Sequence, residues 1–146
     1  MQIDKQSVLT VNAVDTISIT AASAPYEVAG TEIDTQGARS VTFAIVADEA
    51  IGTDVISLKI YECDTSGGTF TAIDSSKYLT GSGGTTFGDK DGTTNAIKTV
   101  GCFGTKRYIK PYADADTVAD DLTVSVIPII EFDVKPADVD TLDSLP

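Results

Sequence analysis

"RSVTFAIVA", residues 39–47, alternates strictly, with Val41, Phe43, Ile45 and Ala47 on one side and Ser40, Thr42, Ala44 and Val46 on the other. A period of two sets every second side chain on the same face of extended backbone, so this stretch reads as a strand with an apolar face turned to a core. The same alternation returns in "DVISLKIYEC" (54–63), where Ile56, Leu58 and Ile60 share one face and Val55, Ser57, Lys59, Tyr61 and Cys63 the other. Further strands are expected in "TISITAA" (16–22), "NAIKTVGCF" (95–103), "KRYIKPY" (106–112) and "DLTVSVIPIIEF" (121–132). Gly104-Thr105 predicts a tight turn that joins 95–103 and 106–112 as a hairpin. In the last strand Leu122, Val124, Val126, Ile130 and Phe132 share a face with Pro128. A proline donates no ladder hydrogen bond, so Pro128 predicts an edge strand or a bulge.

No apolar period of 3.6 residues persists for three turns, and Gly, Asp, Ser and Pro punctuate the strands. That pattern predicts an all-β fold, an antiparallel β-sandwich or barrel. A chain of 146 residues fits one domain, and 42% apolar with 22% charged residues is a globular composition. The expected domain covers 16–132, with residues 1–15 as an N-terminal arm and the acidic 133–146 as a C-terminal tail. Residues 79–96, "LTGSGGTTFGDKDGTTNA", form a long glycine-rich loop. Loops of that length in compact domains tend to carry contacts or move. Phe87 and Asp89 are its candidate contact residues.

The charge balance is 10 Lys+Arg against 22 Asp+Glu, a net charge of −12. Nonspecific nucleic-acid binding neutralises phosphates with basic residues, so this balance argues against it. There is no histidine, which removes the commonest general base and every Ser-His or Cys-His nucleophile. "GSGGTTFGDK" places Asp89 where a phosphate-binding loop needs its lysine. "DKDG" and "DADTVADD" lack the spacing of an EF-hand and read as turns. With 22 carboxylates some pair always lies at glycosidase spacing, so that signal carries no weight. We therefore expect no catalytic activity, no cofactor and no metal. The first residues lack the basic end and apolar stretch of a signal peptide, and "VSVIPII" (124–130) is too short to span a membrane. Cys63 and Cys102 read as ordinary semi-buried thiols, or as a disulfide if their strands are neighbours.

"GTKRYIKPY" (104–112) gathers Lys106, Arg107 and Lys110 within five positions of this acidic chain. On a strand, Lys106, Tyr108, Lys110 and Tyr112 would point one way and Arg107, Ile109 and Pro111 the other. Two readings stand: a solvated face whose lysines pair across strands with Asp or Glu, or a protein-contact face, which tyrosine suits. Lys106, Tyr108, Lys110 and Tyr112 are the candidate contact residues on that reading.

"LKIYECDTSGGTFTAID" (58–74) and "GTKRYIKPY" together resemble small virion proteins of tailed bacteriophages. In those proteins a strand ending in an acidic pair meets a "DGSTF"-like hairpin, and a "G-N/T-K-R-Y-V/I" strand follows. Residues 39–47 are similar to the strand that precedes the hairpin, so the resemblance covers about 39–112. The glycine-rich stretch 79–96 is longer than in that pattern, and the acidic tail has no counterpart in it. The resemblance implies a jelly-roll-like sandwich that decorates or cements the capsid exterior. It implies the major capsid protein as partner, a homo-oligomer (trimer or dimer), and a location on the virion after synthesis in the host cytoplasm. A tail, adaptor or head-fibre subunit is the alternative role within a virion. A carbohydrate-binding module is another, against which stand the lack of tryptophan and only five tyrosines and five phenylalanines.

Overall fold

The computed structural model describes residues 7–11, 14–19, 27–47, 56–79, 85–87, 96–115 and 122–133. The strands through them are β1 (Ser7–Val11), β2 (Asp15–Ile19), β3 (Glu27–Ala29), β4 (Ile33–Asp34), β5 (Ala38–Ala47), β6 (Ile56–Cys63), β7 (Thr71–Ala72), β8 (Thr85–Phe87), β9 (Ala96–Phe103), β10 (Tyr108–Ala115) and β11 (Leu122–Asp133). A 3-10 turn, Ser75–Lys77, is capped by the Asp74 carboxylate, which accepts the Ser76 N–H. Two antiparallel sheets face each other. In the first, β1 and β2 lie end to end along one side of β11, β5 pairs with its other side, and β9 flanks β5. In the second, β3 and β4 lie along one side of β10, β6 along the other, and β7 and β8 along the far side of β6. The chain changes sheet after β2, β4, β5, β8, β9 and β10, which is the winding of a jelly roll.

The alternation that predicts the strands also sets the core. Val41, Phe43 and Ile45 of β5 point inward beside Val100 and Cys102 of β9, Val124, Val126 and Ile130 of β11, and Ile17 and Ile19 of β2. Leu58 and Ile60 of β6, Ile109 and Ala113 of β10, Ile33 and Ile73 meet them from the second sheet. Each fully buried Val, Leu, Ile or Phe among them stabilises the fold by roughly 1.5–3 kcal/mol relative to leaving it in water.

Three expectations need correcting. First, residues 95–103 and 106–112 are not a hairpin: β9 pairs with β5 and β10 with β6. Gly104, at φ +59°, turns the chain from one sheet to the other. Second, β10 begins at Tyr108, so Lys106 and Arg107 lie in that crossing and not on the strand. Third, β11 is an inner strand, so Pro128 is not at an edge. The irregularity it predicts is present on the neighbouring side. Val11 opposes Ile129 and Asp15 opposes Val126, so three residues stand in the N-terminal chain where β11 has Ile127 and Pro128. The second sheet repeats the arrangement around Pro111. Ala29 opposes Tyr112 and Ile33 opposes Ile109, three residues against Lys110 and Pro111. Each sheet thus accommodates a proline in an inner strand where its split edge strand slips by one residue.

Residues 7–11, expected within an arm, supply β1 on the edge of the first sheet. The expected tail beyond Asp133 lies outside the described residues, as does most of 79–96 apart from Leu79, β8 and the start of β9.

Candidate functional site

The β9–β10 crossing is held from below by Glu62. Its position continues the inward face of Leu58 and Ile60, and the residue is only 7% exposed. A buried carboxylate requires donors. Lys77 supplies them through Nζ at 2.6 Å and 2.8 Å to the two carboxylate oxygens, and the Lys106 backbone N–H adds 2.9 Å. Thr35, also buried, donates from its hydroxyl to the Arg107 carbonyl at 2.7 Å and from its backbone N–H to the same oxygen at 2.7 Å.

The basic cluster spends its charge on this architecture. Lys106 Nζ lies 2.9 Å from Asp64, which holds the lysine above its usual pKa. Arg107 engages Asp34 through Nε at 3.1 Å and a terminal nitrogen at 2.8 Å, and lies 5.0 Å from the centre of the Tyr108 ring. That pairing, together with the Gln36 N–H, holds the Asp34 carboxyl below the usual range. Neither residue joins the outward face of β10.

Tyr108, Lys110 and Tyr112 do share that face, half-buried, with Ile109 and Pro111 buried behind them. Register with β6 sets Lys110 opposite Tyr61 and Tyr112 opposite Lys59. The Tyr61 and Tyr112 rings meet with centroids 4.2 Å apart, tilted by 36°. Lys59 is paired with Asp114. Lys110 Nζ sits 4.5 Å above the Phe70 ring. The Tyr61 hydroxyl donates to Glu27 at 2.5 Å, and this bond to a carboxylate, with partial burial and the Glu27 charge, pushes the phenol up to about 12. The result is a platform of two touching rings edged by opposite charges.

Of the candidate contact residues, three therefore lie together and Lys106 stands apart at the crossing. Phe87 is in β8, opposite Ile56 of β6, and Asp89 lies outside the described residues. The sequence reading missed Tyr61, Lys59, Phe70 and Asp114 as members of this face. Alternation in "SLKIYEC" places Lys59 and Tyr61 on one side, but nothing local says that β6 lies beside β10, forty-five residues later.

The opposite outer surface is different in kind. The outward register positions of the β1–β11–β5–β9 sheet carry Leu9, Val11, Ile127, Ile129, Ala44, Val46 and Phe103, with Glu131 and Ser40 standing between Leu9 and Phe103 and Thr42 beside Ile129. Leu79 lies over Gly101 on the same side, where a β-carbon on the glycine would meet its side chain at 2.6 Å.

Both thiols are free: Cys102 points into the core and Cys63 is buried against Gly68. Burial pushes the Cys102 thiol up to about 12. A cleft of about 270 Å³ opens between the sheets at the two split edges, lined by Pro111, Pro128, Phe43, Ile33 and Val126 with Asp15 at its mouth. The Asp15 carboxylate accepts the Thr31 N–H across that edge. Among the described residues, no three His, Cys, Asp or Glu side chains come together in a way that could hold a metal ion. No described helix is long and apolar enough to cross a membrane. No protein-family model matches the chain, and no curated protein matches its sequence.

Proposed function

We propose that this chain is a noncatalytic structural protein of a tailed-phage virion, one that binds the outer surface of the capsid and decorates or cements it. The observation that carries the reading is the meeting of the two motifs on which the phage resemblance rests. Residues 58–74 and 104–112 are far apart in sequence, yet β6 and β10 pair along their full lengths. Lys106 then ties the start of the second motif to Glu62 and Asp64 of the first. The conspicuous charges of both motifs serve one structural unit, as a shared architecture would require.

The platform of Tyr61, Tyr112, Lys110 and Tyr108 is the surface we assign to the major capsid protein. Paired aromatic rings with a polar border offer area at little cost in side-chain entropy, since the rings are already packed. A protein that binds only the assembled shell stabilises it by mass action.

The test is to mix the purified protein with undecorated phage capsids, sediment the particles and count bound copies. Saturable binding at a number matching the shell's symmetry axes, weakened at least tenfold by Tyr112→Ala, is the expected result. No saturable binding to heads overturns the reading. Heating decorated and bare capsids then separates a cement from a decoration.

A further inference from the structure

The two inner-strand prolines meet at one place. In the first sheet the split between β1 and β2 falls beside Pro128, and in the second the split between β3 and β4 falls beside Pro111. Both rings are buried, and both line the cleft of about 270 Å³ between the sheets. A proline has no N–H, so neither leaves a backbone donor unpaired where its edge neighbour is missing. Phe43, Ile33 and Val126, also buried, complete the floor. The polar residues among the described lining are more exposed and form the rim: Asp15 and Glu32, both half-buried, and Thr31. That rim is held in place. The Asp15 carboxylate accepts the Thr31 N–H, and the Gly30 N–H donates to the Pro111 carbonyl at 2.8 Å. Gly30 makes room for the carboxylate, because a β-carbon there would meet Asp15 Oδ2 at 2.5 Å and Pro111 Cγ at 2.9 Å. Among the described residues no second donor reaches Asp15. Glu32 accepts the Ser66 hydroxyl at 2.6 Å and the Gly67 N–H at 2.9 Å, which hold its carboxyl below the usual range. Two further charges act on Glu32. Lys110 stands on the outer face of β10 over Phe70, and Asp34 is paired with Arg107. Among the described residues, no lysine or arginine lines the cleft itself.

We propose that this cleft binds a small primary amine with a short alkyl tail, the tail inward and the ammonium at the Asp15–Glu32 rim. Size, charge and polarity each narrow the ligand. A dry apolar cavity of about 150 Å³ accepts a six-carbon ring. A cleft of about 270 Å³ therefore holds a body of that size with room for a polar end. An anion is disfavoured by two carboxylates at the entrance and by the net charge of −12, which raises the local concentration of cations instead. A neutral apolar molecule could fill the floor but would leave the rim carboxylates unused. Polarity excludes a lysine side chain offered by a partner protein. Such a side chain enters ammonium first and would carry its charge down among Phe43, Val126 and Pro128, where no described group could pair with it. A free amine enters the other way round and keeps its charge at the half-exposed rim. The cleft opens at the split edges and not through the tyrosine platform on the outer face of β10, so this inference does not depend on capsid binding.

The experiment is a titration of the full-length, 15N-labelled chain with hexylammonium chloride at neutral pH, followed by amide NMR spectra. Saturable shifts are expected at the Ile33, Phe43 and Val126 amides, with the Tyr112 amide unmoved. Hexanol has the same tail without the charge and should bind about fivefold more weakly, the worth of one half-exposed ion pair. Hexanoate should not bind. Asp15→Asn keeps an acceptor for the Thr31 N–H and removes the charge, and should weaken hexylammonium about fivefold while leaving hexanol unchanged. The comparison of the three ligands on the wild-type chain stands even if that variant fails to fold. The proposal is overturned by shifts that do not saturate, by shifts centred on Tyr112, or by hexanol or hexanoate binding as tightly as hexylammonium. Unchanged hexylammonium affinity in a folded Asp15→Asn, Glu32→Gln double variant overturns it as well.

Discussion

Glu62 stands where the pattern of its strand asks for a hydrophobe, after Ile56, Leu58 and Ile60. Its carboxylate is retained in a buried position because it meets three donor contacts from two segments that no ladder joins, Lys77 and the Lys106 amide. Removing it strands both. Lys77 is partly exposed and can turn its ammonium to water, whereas the Lys106 N–H is fixed by the crossing. The expected cost of Glu62→Ala is therefore about 2 kcal/mol, below the full penalty of an abandoned buried charge. Glu62→Gln keeps an acceptor for the Lys106 amide and should cost about half as much. Urea unfolding is the measurement: the midpoint should fall for both variants, further for alanine, with an unchanged slope. Equal midpoints for wild type and Glu62→Ala would mean that the cluster adds nothing.

At the scale of elements, the crossing between β9 and β10 separates what the sequence reveals from what it hides. Strands 39–47, 56–63 and 122–133 are legible because alternation is a local property, and the inward sets Val41, Phe43, Ile45 and Leu58, Ile60 follow from it directly. Pairing is not local. "CFGTKRYI" has the look of two strands about a glycine turn, but the turn sends them to opposite sheets because Glu62 and Thr35 hold its far side. The Tyr61–Tyr112 contact was hidden for the same reason, since it depends on a register between strands from different parts of the chain. Gly104 makes the crossing testable. Its φ of +59° is a left-handed conformation, and an added β-carbon would touch nothing within 4 Å. The cost of Gly104→Ala is then backbone strain alone, about 1 kcal/mol, and Gly104→Asn should cost less because asparagine tolerates that region. Thermal melts of the two variants at matched pH check the order; alanine no worse than asparagine would sink the account.

For the whole molecule, Cys102 reports whether the sandwich opens as one unit. The side chain is fully buried between the sheets, beside Val41 of the adjacent strand, and burial holds its thiol near 12. A thiol reagent attacks the thiolate, so Cys102 must reach water before it reacts. Along one margin Tyr78 spans the two sheets: its backbone bridges to Cys102 and its hydroxyl accepts the Ile60 N–H at 3.0 Å. With that margin tied and the core shared by both sheets, exposure of Cys102 should require global unfolding. Its labelling rate in native buffer then equals the intrinsic rate multiplied by the unfolded fraction. Glu62→Ala, costing about 2 kcal/mol, should accelerate the modification of Cys102 about 30-fold, at one decade per 1.4 kcal/mol. Mass spectrometry of the peptide carrying Cys102 distinguishes it from Cys63, which lies against Gly68 on the other side of the second sheet and can be reached by a local opening. An acceleration matching the urea result makes the jelly roll a single cooperative unit. An unchanged rate at Cys102 would mean that β9 detaches alone, and the sheet face that β9 helps form would then be stable only when something else holds that edge in place.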